Sequence, residues 1–521
     1  MGLMERFFGF SWGVHPEDHK RPAADVPARH MPMPEHLYIS LAQHLGAPAL
    51  PAALVGQRVR KGELLAHPQG PVSAAIHAPT SGVIVAIGEI PAPHPSGLPV
   101  LAVTLAADGL DAWTDLEPCA DPFALDPEEI NHRVAQAGVV GMGGATFPSA
   151  LKLSGSKKAG VATLILNGGE CEPYLSCDDR LMRDAAADIV DGIRIMLHAT
   201  GAREALVGIE ENKPEAILSM REAAAAFGEV RVCPVPARYP MGSEKQLALV
   251  LTGKEIPAGR LPADIGVVVH NVGTAKAVSE AIRLGRPLIT RLLTVNGSMV
   301  NAPGNILAPV GALVEDVLRF AGGLAGTPTR LVMGGPMMGL SLPHPRVPVV
   351  KGTSGILALS AAEAAESAPA PCIRCASCVR ACPVGLLPLE MARHIAAEDL
   401  EGAVDLGLKD CIACGCCAYV CPARIPLVQY FGHAKGSLAA EERARMRTEA
   451  TRKMAEARKT RLEAEAREKA EAAARRKAER AAKAALEKAK AEAEAASSQT
   501  ASQDAPQTTP QAAQTEGSSA S

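Results

Sequence analysis

The chain has few aromatic residues, almost no net charge and no long apolar stretch. Phe, Trp and Tyr make up 3% of its 521 residues, while 47 glycines and 41 prolines favour α/β and β modules with many tight turns. A formal net charge of −3 removes any whole-chain electrostatic argument for nucleic-acid binding, so no nucleic-acid partner is expected. Because no apolar run approaches the roughly 18 residues that span a bilayer, no transmembrane helix is predicted.

A secretory signal is also missing from the start of the sequence, so we expect a reducing compartment in which disulfides do not form. The sequence has 13 cysteines, and eight of them stand in two runs. The other five are predicted to be free or packed thiols: Cys119, Cys171, Cys177, Cys233 and Cys416. At 521 residues the chain is too long for one hydrophobic core, which predicts three or more domains.

The two cysteine runs share one spacing, CxxCxxCxxxCP, which begins at Cys372 and again at Cys411. Three thiolates spaced in this way hold one face of a cubane cluster, and the fourth, just before a proline, reaches the other cluster. Structural zinc usually uses two separated CxxC pairs and fits this pattern less well. The spacing therefore predicts two [4Fe–4S] clusters, one held by Cys372, Cys375, Cys378 and Cys421, the other by Cys382, Cys411, Cys414 and Cys417.

The N-terminal region is predicted to be an irregular arm over residues 1–30, followed by β structure. In the arm, His15 and His19 are compatible with a metal site, but ordinary loop histidines explain them better. Short β-branched runs separated by turns between residues 48 and 105 are typical of a small sandwich. The stretch resembles the biotinyl/lipoyl sandwich, although the hairpin at 78–82 has no lysine to modify. We therefore expect a docking module and not a swinging arm.

A glycine-rich loop marks the second candidate site. Gly141, Gly143 and Gly144 let the backbone approach a ligand closely and expose N–H groups. Such a loop before a helix is an anion cradle, and Lys152 would add a positive charge to the same phosphate. A plain tight turn explains a lone glycine loop equally well.

Polar residues follow the predicted strands of the middle region. Strand 161–166 runs into an acidic loop that contains Glu170 and Glu172, and a solvated loop is the alternative interpretation. Helical patterns at 181–199 and 213–227 alternate with short strands, which predicts a parallel α/β sheet. The segment 239–246 opens another helix, and the strand 266–272 ends in polar residues.

Together these motifs resemble the NADH-binding flavoprotein subunit of respiratory complex I over residues 126–285. The resemblance implies that Gly141, Gly143, Gly144 and Lys152 hold the phosphate of FMN. It further implies that the flavin and nucleotide are bordered by Asn167, Glu170, Glu172, Tyr239, Glu244 and Asn271. The sequence departs from that family at three positions, Gly169, Ser243 and His270, which leaves the flavin potential and nucleotide affinity open.

The region 286–360 resembles a soluble-ligand-binding β-grasp module, and the order of modules over residues 1–435 resembles the C subunits of the Rnf/Rsx-type ion-translocating oxidoreductases. That family resemblance implies a peripheral protein on the cytoplasmic face of the bacterial inner membrane. It also implies partners: integral membrane subunits, an iron–sulfur subunit, and ferredoxin reached through the complex. NAD(H) would be the substrate.

The C-terminal region has a different composition. Residues 437–495 mix Ala, Glu, Lys and Arg with opposite charges three and four apart, which predicts a solvated helix. Residues 496–521 are predicted to be disordered. The predicted fold class is thus multidomain α/β plus β with a mostly helical cluster domain. The predicted domains cover 1–30, 31–125, 126–285, 286–360, 361–436, 437–495 and 496–521.

For function, the family resemblance implies electron transfer between NAD(H) and ferredoxin through a flavin and two clusters, coupled to ion translocation by a membrane-bound complex. No side-chain acid or base is required, because the cofactors supply the chemistry. Two alternatives stay open. One is a flavin-free relay and docking subunit, and the other is a cobalamin-reductase-like protein.

Overall fold

The computed structural model describes residues 12–94, 96–364 and 368–500. The described residues up to Lys435 form one compact unit, and those from Gly436 form another. Within the described ranges, none of the helices is both long and apolar enough to cross a bilayer.

The predicted sandwich is confirmed as two small antiparallel sheets with strand orders β2-β8-β7-β4 and β3-β5-β6. Alternate residues such as Leu37, Ile39 and Leu105 are fully buried between the sheets, as expected for strands with one face in a core. The turn 78–82, where a swinging-arm domain would expose its lysine, is buried. The strands are β2 (His36–Ser40), β3 (Leu50–Pro51), β4 (Arg58–Val59), β5 (Leu64–His67), β6 (Ile76–His77), β7 (Gly82–Pro91) and β8 (Pro99–Ala107).

The predicted α/β domain is confirmed as a four-stranded sheet, β11-β10-β9-β12, in which all neighbours are parallel. Both faces of the sheet are covered, because Leu164 and Ile165 enter two different apolar clusters. Its strands are β9 (Thr163–Gly168), β10 (Glu204–Glu210), β11 (Val230–Val235) and β12 (Val267–Asn271). Its helices are α1 (Pro127–Gln136), α2 (Ser149–Lys158), α3 (Cys177–Asp184), α4 (Ala186–Thr200), α5 (Pro214–Ala224), α6 (Glu244–Thr252) and α7 (Val272–Arg283).

The β-grasp region forms a six-stranded mixed sheet with the order β1-β14-β13-β17-β15-β16. Its first strand, β1 (Arg29–His30), comes from the N-terminal arm and pairs in parallel with β14, so the arm is not irregular throughout. This sheet and the sandwich share one apolar core, which contains Leu37 of the sandwich and Val295 of the β-grasp sheet. The other elements are β13 (Thr290–Asn296), β14 (Gly304–Pro309), α8 (Val314–Phe320), β15 (Arg330–Met333), β16 (Leu340–Ser341) and β17 (Gly355–Leu359).

The cysteine region is helical, as predicted. Its helices are α9 (Ser377–Ala381), α10 (Pro388–Ala396), α11 (Leu400–Asp405), α12 (Cys416–Tyr419) and α13 (Leu427–Thr500). Helix α13 begins ten residues before the predicted charged helix, because its first turns bury Leu427 and Phe431. Further along, exposed charges pair four residues apart, as in Arg467–Glu471 at 2.9 Å. Of the predicted disordered tail, residues 496–500 are helical and 501–521 lie outside the described residues.

A buried lysine joins three of the modules. The Lys351 ammonium donates to the Ala75 carbonyl of the sandwich at 2.7 Å and to the Gly138 carbonyl of the α/β domain at 2.6 Å. A side chain at Gly138 would collide with this contact. An added Cβ would lie 2.2 Å from the Ala75 oxygen and 2.6 Å from Lys351 Nζ. Burial lowers the pKa of Lys351 to about 7.

The low pKa of Lys351 in the folded protein predicts that the free energy of unfolding depends on pH. Because the unfolded chain binds this proton up to pH of about 10.5 and the folded chain only to about 7, the free energy of unfolding should rise between these values. The slope approaches about 1.4 kcal/mol per pH unit. Lys351→Met should lack this slope in urea unfolding, whereas the exposed control Lys158→Met should keep it. Parallel pH profiles for Lys351→Met and wild type would contradict the assignment.

Candidate functional site

The two cysteine runs fold into matching halves related by an offset of 39 residues. In the first, Arg374 and Ala376 have positive φ angles of 56° and 57°. Their counterparts Ala413 and Gly415 have φ angles of 54° and 83°. Such left-handed residues turn successive N–H groups inward around a concave site. The sulfurs accept some of these donors, as in Arg374 N–Cys372 Sγ at 3.3 Å and Ala413 N–Cys411 Sγ at 3.4 Å.

The fold brings the cysteines together in the crossed arrangement that the spacing predicts. One cavity, the outer cysteine site, is lined by Cys372, Cys375, Cys378 and Cys421. A second cavity, the inner cysteine site, is lined by Cys382, Cys411, Cys414 and Cys417. Four converging thiols with N–H donors to sulfur suit a cubane cluster. The off-register Cys416 is fully buried and lines neither cavity.

The glycine-rich loop lies at the carboxyl edge of the parallel sheet. The Gly141 N–H donates to the Phe147 carbonyl at 2.8 Å and closes the loop, while the Met142 N–H donates to the Thr274 hydroxyl at 2.9 Å. Gly144 has a φ of 108° and open space where a Cβ would lie, so this part of the loop has room for a ligand.

Two buried polar atoms beside this loop have no partner among the described residues. They are the Ser149 hydroxyl at the start of α2 and His270 Nε2 on β12. Burial and the positive charge of Lys152 hold the pKa of His270 well below its usual range. Since buried polar atoms are nearly always satisfied, a polar ligand at this edge is consistent with both. The residues present thus fit a phosphate-bearing cofactor such as FMN.

Lys152 and Glu244, which the resemblance assigns to a phosphate and a nucleotide, lie beside each other. The Lys152 ammonium is 2.6 Å from Glu244 Oε1, and both side chains are partly exposed. Glu244 is the first residue of α6. The Lys152 ammonium keeps further N–H donors beside this contact, and its role toward a phosphate stays a prediction.

Glu170 is already used in a helix cap. Its carboxylate accepts from the N–H groups of Asp178 at 2.7 Å and Asp179 at 3.1 Å, at the start of α3. This anion at a helix N-terminus satisfies donors that the helix leaves free. Burial and the negative charge of Glu170 raise the pKa of Asp178 to about 7. Asp178 in turn accepts from the Asn271 amide at 2.6 Å, and Asn271 lies against Gly143.

Glu172 reaches from the α/β domain to the β-grasp region. Its two carboxylate oxygens accept from the N–H groups of Met337 at 3.0 Å and Met338 at 2.9 Å. Burial raises the pKa of Glu172 to about 7. We call this contact the Glu172 latch. The turn around Met337 also lies against the inner cysteine run. A Cβ atom placed on Gly415 would be 3.3 Å from the Met337 carbonyl oxygen.

The loop that contains Tyr239 carries the contact between the α/β domain and the inner cysteine site. Tyr239 is buried, and its hydroxyl donates to the Cys414 carbonyl at 2.6 Å. The Gln246 amide donates to the Pro383 carbonyl at 2.8 Å. Asn167 holds the same loop through the Gly242 carbonyl at 2.7 Å. Tyr239 therefore positions the inner cysteine site, a contact that the sequence motif does not predict.

Two buried lysines donate hydrogen bonds to the backbone of the acidic loop. No sequence pattern identifies these lysines. The Lys20 ammonium donates to the carbonyls of Glu170 and Glu172, each at 2.9 Å, and also to the Leu175 carbonyl. Lys213 donates to the Gly169 carbonyl at 2.8 Å. Burial and the positive charge of Lys213 lower the pKa of Lys20.

Arg291 of β13 is a further residue that the sequence interpretation missed. Its guanidinium is buried, donates to the Thr353 carbonyl at 3.1 Å, and contacts the sulfur of Met142 in the glycine-rich loop. The β-grasp region thus contributes to one wall of the candidate flavin site.

A parallel α/β flavin domain joined to two four-cysteine sites defines a flavoprotein of iron–sulfur electron transfer. Comparison with protein families agrees with each part. Residues 8–110 match the RnfC barrel sandwich hybrid domain, 134–280 the Nuo51 FMN-binding domain, 292–341 the SLBB domain, and 371–425 the 4Fe-4S dicluster domain. The bounds of the predicted domains themselves stay a prediction.

The chain is similar along most of its length to the C subunits of ion-translocating oxidoreductase complexes. That of Rhodobacter capsulatus is 52% identical over 433 residues, which are 83% of each chain. That of Pseudomonas aeruginosa is 45% identical over 90% of this chain and 60% of the relative. This chain belongs to the family of ion-translocating oxidoreductase complex C subunits, and the predicted family is confirmed.

Among solved structures, the chain is similar to an NAD+-reducing [NiFe]-hydrogenase. The air-oxidized form has a TM-score of 0.41 and 23% identity over 52% of this chain and 53% of that chain. The H2-reduced form has a TM-score of 0.43 and 21% identity over 61% and 62% of the two chains.

Removing the Lys20 ammonium should destabilise the protein. Lys20→Met leaves three carbonyls, one buried and two partly buried, without this donor, so the free energy of unfolding should fall by about 2–4 kcal/mol in urea titration. The exposed control Lys157→Met should change it little. Equal stability of the two variants would show that the acidic loop does not depend on Lys20.

Opening the Glu172 latch should act locally. Glu172→Gln sets an amide NH2 against one of two N–H donors, so hydrogen–deuterium exchange should quicken in peptides covering 334–339. The difference from wild type should shrink below pH 7, where Glu172 itself is protonated. Glu363→Gln, which removes a carboxylate bonded to Ser298 and Ser360, is the matched control. Exchange that is insensitive to Glu172→Gln would contradict the latch.

Proposed function

We propose that this chain is the NAD(H)-facing electron-transfer subunit of a membrane-bound complex that couples electron exchange between NAD(H) and ferredoxin to ion translocation. Family membership supports the oxidoreductase complex and the presence of further subunits. In this proposal, integral membrane subunits and an iron–sulfur subunit are the partners. The chain would lie on the cytoplasmic face of the bacterial inner membrane.

The observation that carries the proposal is the direct contact between the flavin domain and the inner cysteine site. The bond from Tyr239 to Cys414 and the bond from Gln246 to Pro383 both join them. The outer cysteine site then follows through the crossed runs. In this proposal, electrons pass between the flavin and the inner cluster, and between the inner and the outer cluster.

Bound FMN supplies exchange of two electrons with NAD(H) and of single electrons with the clusters. The chain's own residues hold and orient it. Gly141, Gly143 and Gly144 leave room for the phosphate, and Ser149 offers a free hydroxyl. Lys152, which is paired with Glu244, would offer its remaining N–H donors to the phosphate. The acidic loop, fixed by Lys20, would border the nucleotide.

The flavin-free relay keeps one supporting observation: Glu170, Glu172 and Lys152 all have protein partners. The match to an FMN-binding domain and the room beside Gly144 favour the flavoprotein. The described residues show no comparable feature that supports a cobalamin reductase.

Interrupting the relay at its centre tests the proposal. With iron and FMN reconstituted anaerobically, NADH should bleach the flavin absorbance and then reduce both clusters. Cys411→Ser/Cys414→Ser should lose about half of the iron and keep flavin reduction, while the outer cluster stays oxidised. Cys372→Ser/Cys375→Ser should instead leave the inner cluster reducible.

Cys416→Ser is the matched control, because this thiol is buried in the inner run but lines neither cavity. It should keep its iron and its reduction by NADH. Binding of FMN without any reduction by NADH would sink the NAD(H) assignment. Assembly of clusters without FMN binding would favour the flavin-free relay.

A further inference from the structure

The two cysteine halves share a backbone but differ in what surrounds them. In the inner half, Cys414 and Cys417 are buried and Gly415 lies against Met337. In the outer half, Cys372 and Cys375 are exposed. Ile373, which follows Cys372, is 68% exposed. One half therefore faces the protein, and the other faces outward.

The outward half also differs in charge. Arg374 and Arg380 are exposed there, and their counterparts in the inner half are Ala413 and Tyr419. Since the inner half builds the same loop without these arginines, cubane binding does not require the charges. Arg380 stays near the outer cysteines, because its guanidinium donates to the Ser377 hydroxyl at 3.1 Å.

No acidic residue offsets the arginines locally in the sequence. The segments 368–389 and 418–435 build the outer cysteine site and contain no Asp or Glu. An exposed apolar side chain together with exposed arginines is suited to a transient protein contact. We call Ile373, Arg374 and Arg380 the exit surface.

We propose that the exit surface docks an acidic iron–sulfur protein that exchanges single electrons with the outer cluster. The inference rests on the proposed function, since it assumes that the outer site holds a cluster. In the step, one electron leaves the reduced outer cluster and enters the oxidised cluster of the carrier. No bond forms or breaks and no proton moves.

Charge complementarity favours this occupant. Opposite charges steer encounter and raise association rates by 10-fold to about 1,000-fold at low salt. Electron-transfer contacts are small and short-lived, which matches a surface of a few residues. A nucleotide would need a pocket of its own, and the cavity beside Ile373 and Arg374 is the one that the four outer cysteines line.

Stopped-flow mixing tests the proposal. The full-length protein, reduced with dithionite and free of NADH, is mixed with an oxidised bacterial two-cluster ferredoxin of net negative charge. Arg374→Glu/Arg380→Glu should lower the second-order rate constant about tenfold or more at low ionic strength. The difference should disappear near 1 M salt, where the screening length is about 3 Å. With cytochrome c, a basic acceptor, the same variant should react faster than wild type.

Arg467→Glu/Arg475→Glu, on the exposed charged helix, makes the same change in net charge and should leave the ferredoxin rate within about twofold. Iron content and the electron paramagnetic resonance signals of both clusters verify each variant. If the double variant at the exit surface loses iron, Arg380→Glu alone and Ile373→Ser replace it, each with a slower reaction expected.

Equal slowing by both double variants would overturn the proposal, because only net charge would then matter. An unchanged rate at the exit surface would also overturn it. So would loss of binding to phosphatidylglycerol vesicles in Arg374→Glu/Arg380→Glu with an unchanged ferredoxin rate, which would assign the surface to lipid. Reduction by dithionite keeps this test independent of NADH and flavin. If the protein does not oxidise NADH, the proposed function fails, but the proposal for the exit surface is still tested by the ferredoxin rate.

Discussion

The hydrogen bond from the Tyr239 hydroxyl to the Cys414 carbonyl fixes the geometry on which the electron path depends. Tyr239 is buried, so an unpaired hydroxyl there would be costly, and the bond holds the inner cysteine run against the parallel sheet. Gln246 and the Glu172 latch add contacts on either side. Together they place one cysteine site beside the flavin domain and leave the other outward.

The acidic loop after β9 is held by buried lysines and by a helix cap. Lys20 from the N-terminal arm and Lys213 from the start of α5 donate to its carbonyl groups. The Glu170 carboxylate accepts a hydrogen bond from a backbone N–H at the start of α3. Residues that the sequence resemblance assigns to a nucleotide therefore also hold this loop in place. Such a preorganised loop costs little further ordering when a ligand binds.

The modules are less independent than their order in the chain suggests. The sandwich and the β-grasp sheet share one core, and Lys351 ties both to a residue that shortly precedes the glycine-rich loop. Arg291 extends the β-grasp region to the same loop. The three modules therefore meet beside the candidate flavin site.

The local chemistry of the chain follows from its amino-acid sequence alone. The spacing of eight cysteines predicts their crossed grouping, because it matches the two-cluster pattern in which the fourth cysteine of each run serves the other cluster. The alternation of β-branched runs and helical patterns predicts the parallel sheet and the sandwich, and these are confirmed. Which cysteine site faces the flavin domain, and which carboxylates are already bonded, became visible only in the folded chain. Tyr239 and Cys414 are 175 residues apart, and Lys20 and Glu170 are 150 apart. No periodicity spans such separations, since the long-range packing of whole modules sets those contacts.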